Sequence, residues 1–259
     1  MKVTVCELTN GWTDSEREWE DLADHVGRAG SDLVLLPEMC FYPWIARTRQ
    51  VDPGQWQSAV ESHERWTERF SEMPASILIG SRPVVRNGLR QNEGFIWERG
   101  AGYRPVHAKH YLPNEEGFWE AEWYRRGNRD FHAVAVRGVH IGFLICTELW
   151  FNAHAREYMK QGIHVLVCPR ATPAASIDRW IAGGRTAAVV SGAFCLSSNF
   201  NGPNVEGIDF GGAGWVMEPE GGNVLGVTSQ EHPFLTMDID PEAAEKAKET
   251  YPRYVRDYE

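Results

Sequence analysis

The chain has 259 residues, of which 42% are hydrophobic and 24% charged, and its 26 basic and 36 acidic side chains give a formal net charge of −10. This composition is typical of a globular protein, and α/β chains of this length often form one domain. We therefore expect a single domain over residues 1–259. The negative charge argues against binding to nucleic acid or to an anionic membrane surface.

The N-terminus and the cysteines indicate a reducing compartment. The first residues, MKVTVCE, contain no long apolar segment of the kind found in signal peptides. No stretch approaches the roughly 18 apolar residues that a membrane-spanning helix requires. The five cysteines stand far apart, without a CxxC pair, at positions 6, 40, 146, 168 and 195. This spacing outlines no disulfide framework, so we expect a cytoplasmic protein.

The first third of the chain alternates strand and helix patterns. Residues 2–8 predict a strand, and Thr13 with Glu16 forms a capping-box pattern at the start of a helix. Buried strands are predicted at 32–36 and 76–80, with a second amphipathic helix between them. The first helix presents one apolar stripe, made of Trp19, Leu22, Ala23 and Val26. The second presents another, made of Trp56, Ala59, Val60, His63, Trp66 and Phe70.

Hairpins are interspersed with helices in the rest of the chain. Strands at 92–98 and 103–107 flank a turn at 100–102, and strands at 132–136 and 139–145 flank Arg137-Gly138. Helices are predicted at 153–161, 176–190 and 241–248. Further strands are predicted at 163–167, 194–198, 213–217, 223–227 and 234–239, with a turn at 219–222. The pattern predicts an α/β fold with mixed sheets, followed by an exposed, charged and tyrosine-rich tail.

Three residues that can carry chemistry each follow a predicted strand. Cys146 ends the apolar run 140–146, Glu38 follows the strand 32–36, and Lys109 follows the strand 103–107. A thiol becomes a useful nucleophile when a base or a positive field lies beside it. Taken singly, these residues are more typical of a core cysteine, a solvated carboxylate and a surface lysine. Only their joint pattern predicts a site.

Four segments that surround or follow these residues stand in order along the chain: LVLLPE at 33–38, AKHYLP at 108–113, IGFLICTELW at 141–150 and FGGAGWVMEPEG at 210–221. With them, the chain resembles the nitrilase superfamily of carbon–nitrogen hydrolases over about residues 2–240. The resemblance implies a four-layer α-β-β-α sandwich, an enzyme that needs no cofactor, and a Glu-Lys-Cys triad. It also implies self-association into a homodimer or a larger assembly, for which residues 243–259 are a candidate contact.

The same resemblance implies a role for each matching residue. Cys146 would attack a carbonyl carbon, and Glu38 would take the thiol proton and later pass it to the leaving amine. Lys109 and the backbone N–H of Thr147 would stabilise the oxyanion. The family often has an accessory glutamate after the lysine, for which Glu120 is the best match.

Several further residues are candidates for substrate binding, although each is equally compatible with a structural position. Glu116 is the alternative accessory glutamate. Glu148 is either a substrate-binding residue or a helix-entry charge near the macrodipole. Arg170 is either a clamp for a substrate carboxylate or a member of a structural ion pair. Aromatic residues near the motifs are candidates for an apolar pocket, namely Phe41, Tyr42, Trp44, Trp119 and Trp150.

The remaining motifs narrow the function class. The nine histidines show no metal-ligand spacing, and the sequence contains neither GxSxG nor GxxxxGK[ST], so we expect no metal, no serine hydrolase and no P-loop. Thr147 stands where the nitrilase branch often has tryptophan, which favours the amidase-like branch. The expected partner is a small amide or carbamoyl compound. The alternatives are an N-carbamoyl amidohydrolase, a nitrilase, and a non-catalytic scaffold protein.

Overall fold

The computed structural model describes residues 1–10, 15–203 and 207–256. The strands in these ranges are β1 (Lys2–Thr9), β2 (Leu33–Leu35), β3 (Ile77–Arg86), β4 (Leu89–Glu98), β5 (Gly102–Ala108), β6 (Val134–Val136), β7 (Val139–Phe143), β8 (Val165–Pro169), β9 (Phe194–Pro203), β10 (Asp209–Gly211), β11 (Trp215–Met217), β12 (Val224–Val227) and β13 (Phe234–Asp238). The α-helices are α1 (Ser15–Ala29), α2 (Pro53–Glu68), α3 (Glu120–Trp123), α4 (Asn152–Lys160), α5 (Ile177–Ser191) and α6 (Pro241–Lys248).

Strand β1 joins two halves of a mixed sheet. Its residues 3–5 pair in parallel with β2, and its residues 7–9 pair in parallel with β9. The strand order is β5-β4-β3-β2-β1 in one half and β9-β8-β7-β6 in the other, while β10 and β11 also pair with β9 and β13 pairs with β1. Parallel strands stand beside antiparallel hairpins in both halves, as the sequence predicted.

Three apolar clusters place the two halves between layers of helices. Because side chains alternate along a strand, each half has an inner and an outer face. The inner faces share one cluster, which includes Val3, Val5, Leu33, Ile77, Ile141, Val165 and Leu196. The outer faces pack on α1 and α2 through residues such as Leu22, Trp66 and Leu78, and on α4 and α5 through Ala155, Leu166 and Ala187. The predicted α-β-β-α sandwich is confirmed.

The helix stripes match the sequence pattern closely. Trp19, Leu22 and Val26 of α1 are buried. Helix α2 begins at Pro53 because the Asp52 carboxylate accepts the backbone N–H groups of Gly54 and Gln55 in its first turn. The predicted capping box includes Thr13, which lies outside the described residues. Its partner Glu16 forms an ion pair with Arg69.

One hairpin was not predicted. Strand β3 extends to Arg86 and pairs with β4 through a turn at Asn87 and Gly88, whose φ angles are 52° and 75°. These two positive angles are those of a type I′ turn, for which Asn-Gly is the preferred sequence. Pro83 and the charged residues around it hid the strand, since proline cannot donate a ladder hydrogen bond.

The C-terminal tail is not wholly exposed, which corrects the prediction. Helix α6 has the predicted bounds, and Tyr251 and Tyr254 after it are 74% and 62% exposed. Arg253 is only 3% exposed, because its guanidinium pairs with Glu220 and donates to the carbonyl of Val189. The tail therefore folds back on α5 and on the hairpin of β11 and β12.

Candidate active site

Glu38 lies just beyond β2, at the end of the strand where the sequence predicted it. Its side chain is fully buried. Oε1 accepts hydrogen bonds from Asn92 Nδ2 at 2.7 Å and from Lys109 Nζ at 2.7 Å. Oε2 is buried and has no hydrogen-bond partner within the part of the chain that the structure describes. One carboxylate oxygen is thus held in place while the other remains available to a proton.

Lys109 follows β5, and its backbone is fixed on both sides. Its N–H donates to the carbonyl of Asn92 at 2.9 Å, and its own carbonyl accepts from Gly127 at 2.9 Å. The buried Nζ lies 2.7 Å from Glu38 Oε1 and 2.6 Å from Glu120 Oε2. Burial alone would lower the pKa of this ammonium, but the two carboxylates outweigh burial and raise it. Lys109 is therefore a fixed cation.

Glu120 is the first residue of α3 and completes the charged cluster. It is fully buried, and the Tyr124 hydroxyl donates to its Oε2. Burial, together with the neighbouring Glu38 carboxylate, raises the pKa of Glu120, while Lys109 opposes the shift. Two carboxylates and one ammonium sum to −2 + 1 = −1 when all are ionised. The cluster can therefore take up one proton and become neutral.

Cys146 lies three residues beyond β7, at the start of a 3₁₀-helix spanning Cys146–Trp150. Its φ of 50° lies in the left-handed region, which a non-glycine residue adopts at a cost of about 1–3 kcal/mol. The side chain is 4% exposed. Burial first, and then the negative charge of Glu38, raise the pKa of the thiol. The resting sulfur is therefore a neutral thiol that needs a base.

Glu148 connects the segment that contains Cys146 with the segment that contains Lys109. Its Oε2 accepts from Ile145 N–H and His107 Nε2, both at 2.8 Å, and its Oε1 accepts from His110 N–H at 2.7 Å. Although burial opposes ionisation, His107 and the N–H donors lower the pKa of Glu148. Burial likewise disfavours charge on His107, but Glu148 outweighs it and raises the pKa of the imidazole. This buried pair holds Cys146 and Lys109 in register.

A cavity of about 410 Å³ opens above this cluster. Its floor includes Glu120, Cys146 and Thr147. Its walls include the aromatic rings of Trp150 and Trp180, whose centroids are 5.0 Å apart. A volume of this size suits a small molecule, and apolar walls with a few polar groups are typical of enzyme pockets.

The sequence of the chain matches the Carbon-nitrogen hydrolase family over residues 2–249. The chain belongs to this family. The family predicted from the sequence is confirmed.

Two solved structures share its fold. A carbon–nitrogen hydrolase from Helicobacter pylori G27 has a TM-score of 0.85 at 21% identity, covering 98% of this chain and 94% of the other. An amidase from Nesterenkonia sp. has a TM-score of 0.77 at 19% identity, covering 95% of this chain and 92% of the other. Further structures of that amidase carry an acrylamide adduct or an acetamide moiety on the active-site cysteine.

Two curated relatives are longer than this chain. A glutamine-dependent NAD(+) synthetase from Rhodobacter capsulatus is 24% identical over 252 residues, which cover 95% of this hydrolase and 44% of the relative. An N-carbamoylputrescine amidase from Oryza sativa subsp. japonica is 24% identical over 177 residues, which cover 66% of this hydrolase and 58% of the relative. The hydrolase thus spans about half the length of the curated relatives it matches.

The predicted aromatic residues are dispersed. Trp150 lines the cavity and is 44% exposed. Phe41 instead stacks on Trp66 in the outer helical layer, with ring centroids 5.0 Å apart. Trp44 is buried with its indole N–H bonded to the carbonyl of Gly117, and Tyr42 borders a small separate cavity.

In the segment after Lys109, the structure places the favoured glutamate, Glu120, against Lys109, whereas Glu116 lies on the exposed loop. The aromatic residue of this segment that lines the cavity is Phe118, not the predicted Trp119, whose backbone N–H donates to the carbonyl of Ala46.

Arg170 has a structural environment rather than a place on the cavity wall. It is fully buried, donates to the hydroxyls of Ser197 and Thr172 at 2.7 Å each and to the carbonyl of Ala213 at 2.7 Å, and lies 4.0 Å from the Trp215 ring. Burial lowers the pKa of its guanidinium to about 10. Because protein acceptors occupy its donors, it is poorly placed to clamp a substrate carboxylate, which corrects the expectation.

Other site residues were missed in the sequence. Asn92 holds Glu38, Tyr124 holds Glu120 and His107 holds Glu148. Tyr124 could have been found, since it stands four residues after Glu120, directly beyond the single turn of α3, and residues four apart lie close together across a helical turn. Asn92 and His107 gave no such signal, because their partners are brought to them by strand pairing and by loops from distant parts of the chain.

Within residues 1–10, 15–203 and 207–256, no group of three or more His, Cys, Asp or Glu side chains is placed to hold a metal ion. Likewise, none of the helices there is both long enough and apolar enough to cross a membrane.

Proposed function

We propose that this hydrolase is a cysteine-dependent amidohydrolase that cleaves a linear, non-peptide amide through an acyl thioester, giving a carboxylate and ammonia or an amine. The observation that carries the proposal is the buried cluster of Glu38, Lys109 and Glu120 at the floor of the cavity where Cys146 lies. The cysteine adducts of the Nesterenkonia amidase support it, since they form on the corresponding class of residue.

Acylation begins with the neutral thiol. Cys146 Sγ attacks the amide carbon as its proton passes to Glu38, whose Oε2 has no other partner among the described residues. The C–S bond forms and the carbonyl oxygen becomes an oxyanion. Glu38 then gives the proton to the amide nitrogen, the C–N bond breaks, and ammonia or an amine leaves. Proton transfer of this kind typically contributes about 10²–10⁴-fold to the rate.

Deacylation repeats the sequence with water. Glu38 takes a proton from water as the water oxygen attacks the thioester carbon. The tetrahedral intermediate expels the Cys146 thiolate, which recovers a proton from Glu38. The products are the free carboxylic acid, which ionises, and the resting thiol.

The Lys109 ammonium and the backbone N–H of Thr147 stabilise the oxyanion. The ammonium of Lys109 is fixed by two carboxylates before substrate arrives, so little reorganisation is needed at the moment of reaction. Thr147 is the second residue of a 3₁₀-helix, where a backbone N–H has no acceptor within the helix. One well-placed donor is typically worth roughly 3–4 kcal/mol.

An N-carbamoyl substrate is the second candidate. The similarity to an N-carbamoylputrescine amidase favours it, and the same steps apply with carbamate as the acid released. Carbon dioxide would accompany ammonia in that case only. A nitrile substrate is less favoured, because Thr147 stands where the nitrilase branch often has tryptophan.

The proposal is tested by comparing Cys146→Ala with Cys40→Ala on a panel of aliphatic, aromatic and carbamoylated amides. Cys40 is the least buried of the other four cysteines and serves as the matched control. We expect Cys146→Ala to abolish ammonia release and Cys40→Ala to retain it. Undiminished release by Cys146→Ala would refute the mechanism. If the wild type turned over no amide and its Cys146 reacted no faster than Cys40 with alkylating agents, a non-catalytic scaffold would be favoured.

We further propose that residues 1–259 form one carbon–nitrogen hydrolase domain, that it self-associates and that it is cytoplasmic. The five cysteines are free, which suits a reducing compartment. Sedimentation of the full chain would test self-association, with a strictly monomeric species contradicting it.

A further inference from the structure

Two exposed side chains of opposite charge line the mouth of the active-site cavity. Glu115 lies on the loop between Lys109 and α3, and Arg179 lies in the first turn of α5. Neither side chain has a hydrogen-bond or ion-pair partner among residues 1–10, 15–203 and 207–256, and they do not pair with each other. Each charged group is therefore free to meet a ligand that enters the cavity.

Because the wall around them carries no charge, Glu115 and Arg179 can distinguish substrates by the charges that those substrates carry. Between the mouth and the floor the cavity is bounded by apolar side chains, among them Phe118, Trp150 and Trp180, and by the neutral polar residues Asn114, Thr172 and Ser176. Such a wall offers an alkyl chain apolar contact and a few neutral hydrogen-bonding groups, but no charge. Among the described residues that line the cavity, a charge on the substrate can thus meet an opposite charge only at the mouth, at Glu115 or Arg179, or at the floor, where the reacting amide must lie.

We propose that the substrate is an amide whose far end carries both a carboxylate and an ammonium group, as the side-chain amide of an α-amino acid does. Arg179 binds the carboxylate, since guanidinium and carboxylate pair through two parallel hydrogen bonds. Glu115 binds the ammonium. This inference rests on the proposed amidohydrolase function and names the substrate class for it.

Four amides that differ only in these charges test the inference. L-Glutamine has both groups, glutaramate lacks the ammonium, γ-aminobutyramide lacks the carboxylate, and butyramide lacks both. Hydrogen bonds to charged groups are worth about 1.5–3 kcal/mol, or roughly 10–100-fold. We expect kcat/KM for ammonia release to rise by about that factor with each added charge, so that glutamine is the best substrate and butyramide the poorest.

Single substitutions test which residue binds which charged group of the substrate. Arg179→Met should lower the kcat/KM ratio of glutaramate to butyramide by roughly 10–100-fold, and Glu115→Gln should lower the ratio of γ-aminobutyramide to butyramide by a similar factor. The matched controls are Arg65→Met and Glu64→Gln, which change exposed residues of α2 and should leave both ratios unaltered.

The outcomes separate this inference from the proposed function. Equal kcat/KM for all four amides, a preference for only one of the two charges, or ratios that Arg179→Met and Glu115→Gln leave unchanged would overturn the zwitterionic substrate while Cys146-dependent ammonia release preserved the amidohydrolase. Failure of the wild type to release ammonia from these amides and from the wider panel would overturn the proposed function itself.

Discussion

Replacing Glu148 with glutamine tests the hydrogen bonds that connect the segment of Cys146 with the segment of Lys109. The carboxylate accepts three hydrogen bonds, from Ile145 N–H, His110 N–H and His107 Nε2. A glutamine has one acceptor oxygen. If that oxygen faces Ile145 and His107, the amide NH₂ faces His110 N–H. If the side chain is flipped, the NH₂ faces Ile145 N–H.

Either orientation of the glutamine leaves one buried backbone N–H without an acceptor. That loss costs about 1–3 kcal/mol. His107, whose pKa this carboxylate raises, also loses its counter-charge, and breaking a buried ion pair typically costs about 3–5 kcal/mol in all. For a chain of this size each kcal/mol lowers Tm by roughly 2–4 °C. We therefore expect Glu148→Gln to lower Tm by roughly 6–20 °C and to reduce kcat, since Cys146 directly follows Ile145.

Differential scanning calorimetry and ammonia release by the folded variant measure the two effects. Glu20→Gln is the control, because Glu20 is exposed on α1. A Glu148→Gln protein as stable and as active as Glu20→Gln would refute the reasoning, since the three hydrogen bonds would then contribute nothing.

Three further predictions concern the same region. Lys109→Met should lower kcat by about 10²–10³-fold in steady-state assays, because it removes an oxyanion donor; an unchanged kcat would exclude that role. Gly127→Ala should destabilise the fold by about 1–3 kcal/mol in urea titrations, because a Cβ there would lie 2.1 Å from the carbonyl oxygen of Ala108; unaltered stability would contradict this contact. The stability difference between wild type and Glu148→Gln should depend on pH. Because folding raises the pKa of His107, this group contributes stability that is fully present below its ordinary value of 6.5 and that is lost as pH rises through the folded value. Because folding lowers the pKa of Glu148, this group contributes stability that is fully present above its ordinary value of 4.5 and that is lost as pH falls through the folded value. Denaturation between pH 4 and 9 should therefore show the largest difference between pH 4.5 and 6.5, and a flat difference would exclude the ion pair.

The layered fold could be predicted because local patterns and global packing agree. Apolar runs such as Leu33–Leu35 and the stripes of α1 and α2 fit a sheet covered by helices, and the turn at Arg137-Gly138 was recognisable from its residues. The hairpin at Asn87-Gly88 was equally recognisable by its turn, but Pro83 obscured the strand before it.

The meeting of the three predicted catalytic residues at one site was predictable for a geometric reason. Glu38, Lys109 and Cys146 each follow a strand, and such side chains meet where the strand ends converge. The partners of these residues were not predictable. Asn92 reaches Glu38 only through the pairing of β3 with β4. The sequence could not decide between a substrate clamp and a structural position for Arg170, because it does not reveal the acceptors that surround this side chain.

The acyl thioester at Cys146 is tested most directly by intercepting it with hydroxylamine. Two amides with the same acyl group, one releasing ammonia and the other methylamine, should give the same ratio of hydroxamate to carboxylate, because both form one acyl-enzyme before water or hydroxylamine attacks. Cys146→Ala should give no enzymatic hydroxamate from either amide. A ratio that depends on the amine, or hydroxamate formation that survives Cys146→Ala, would contradict a common thioester on this residue.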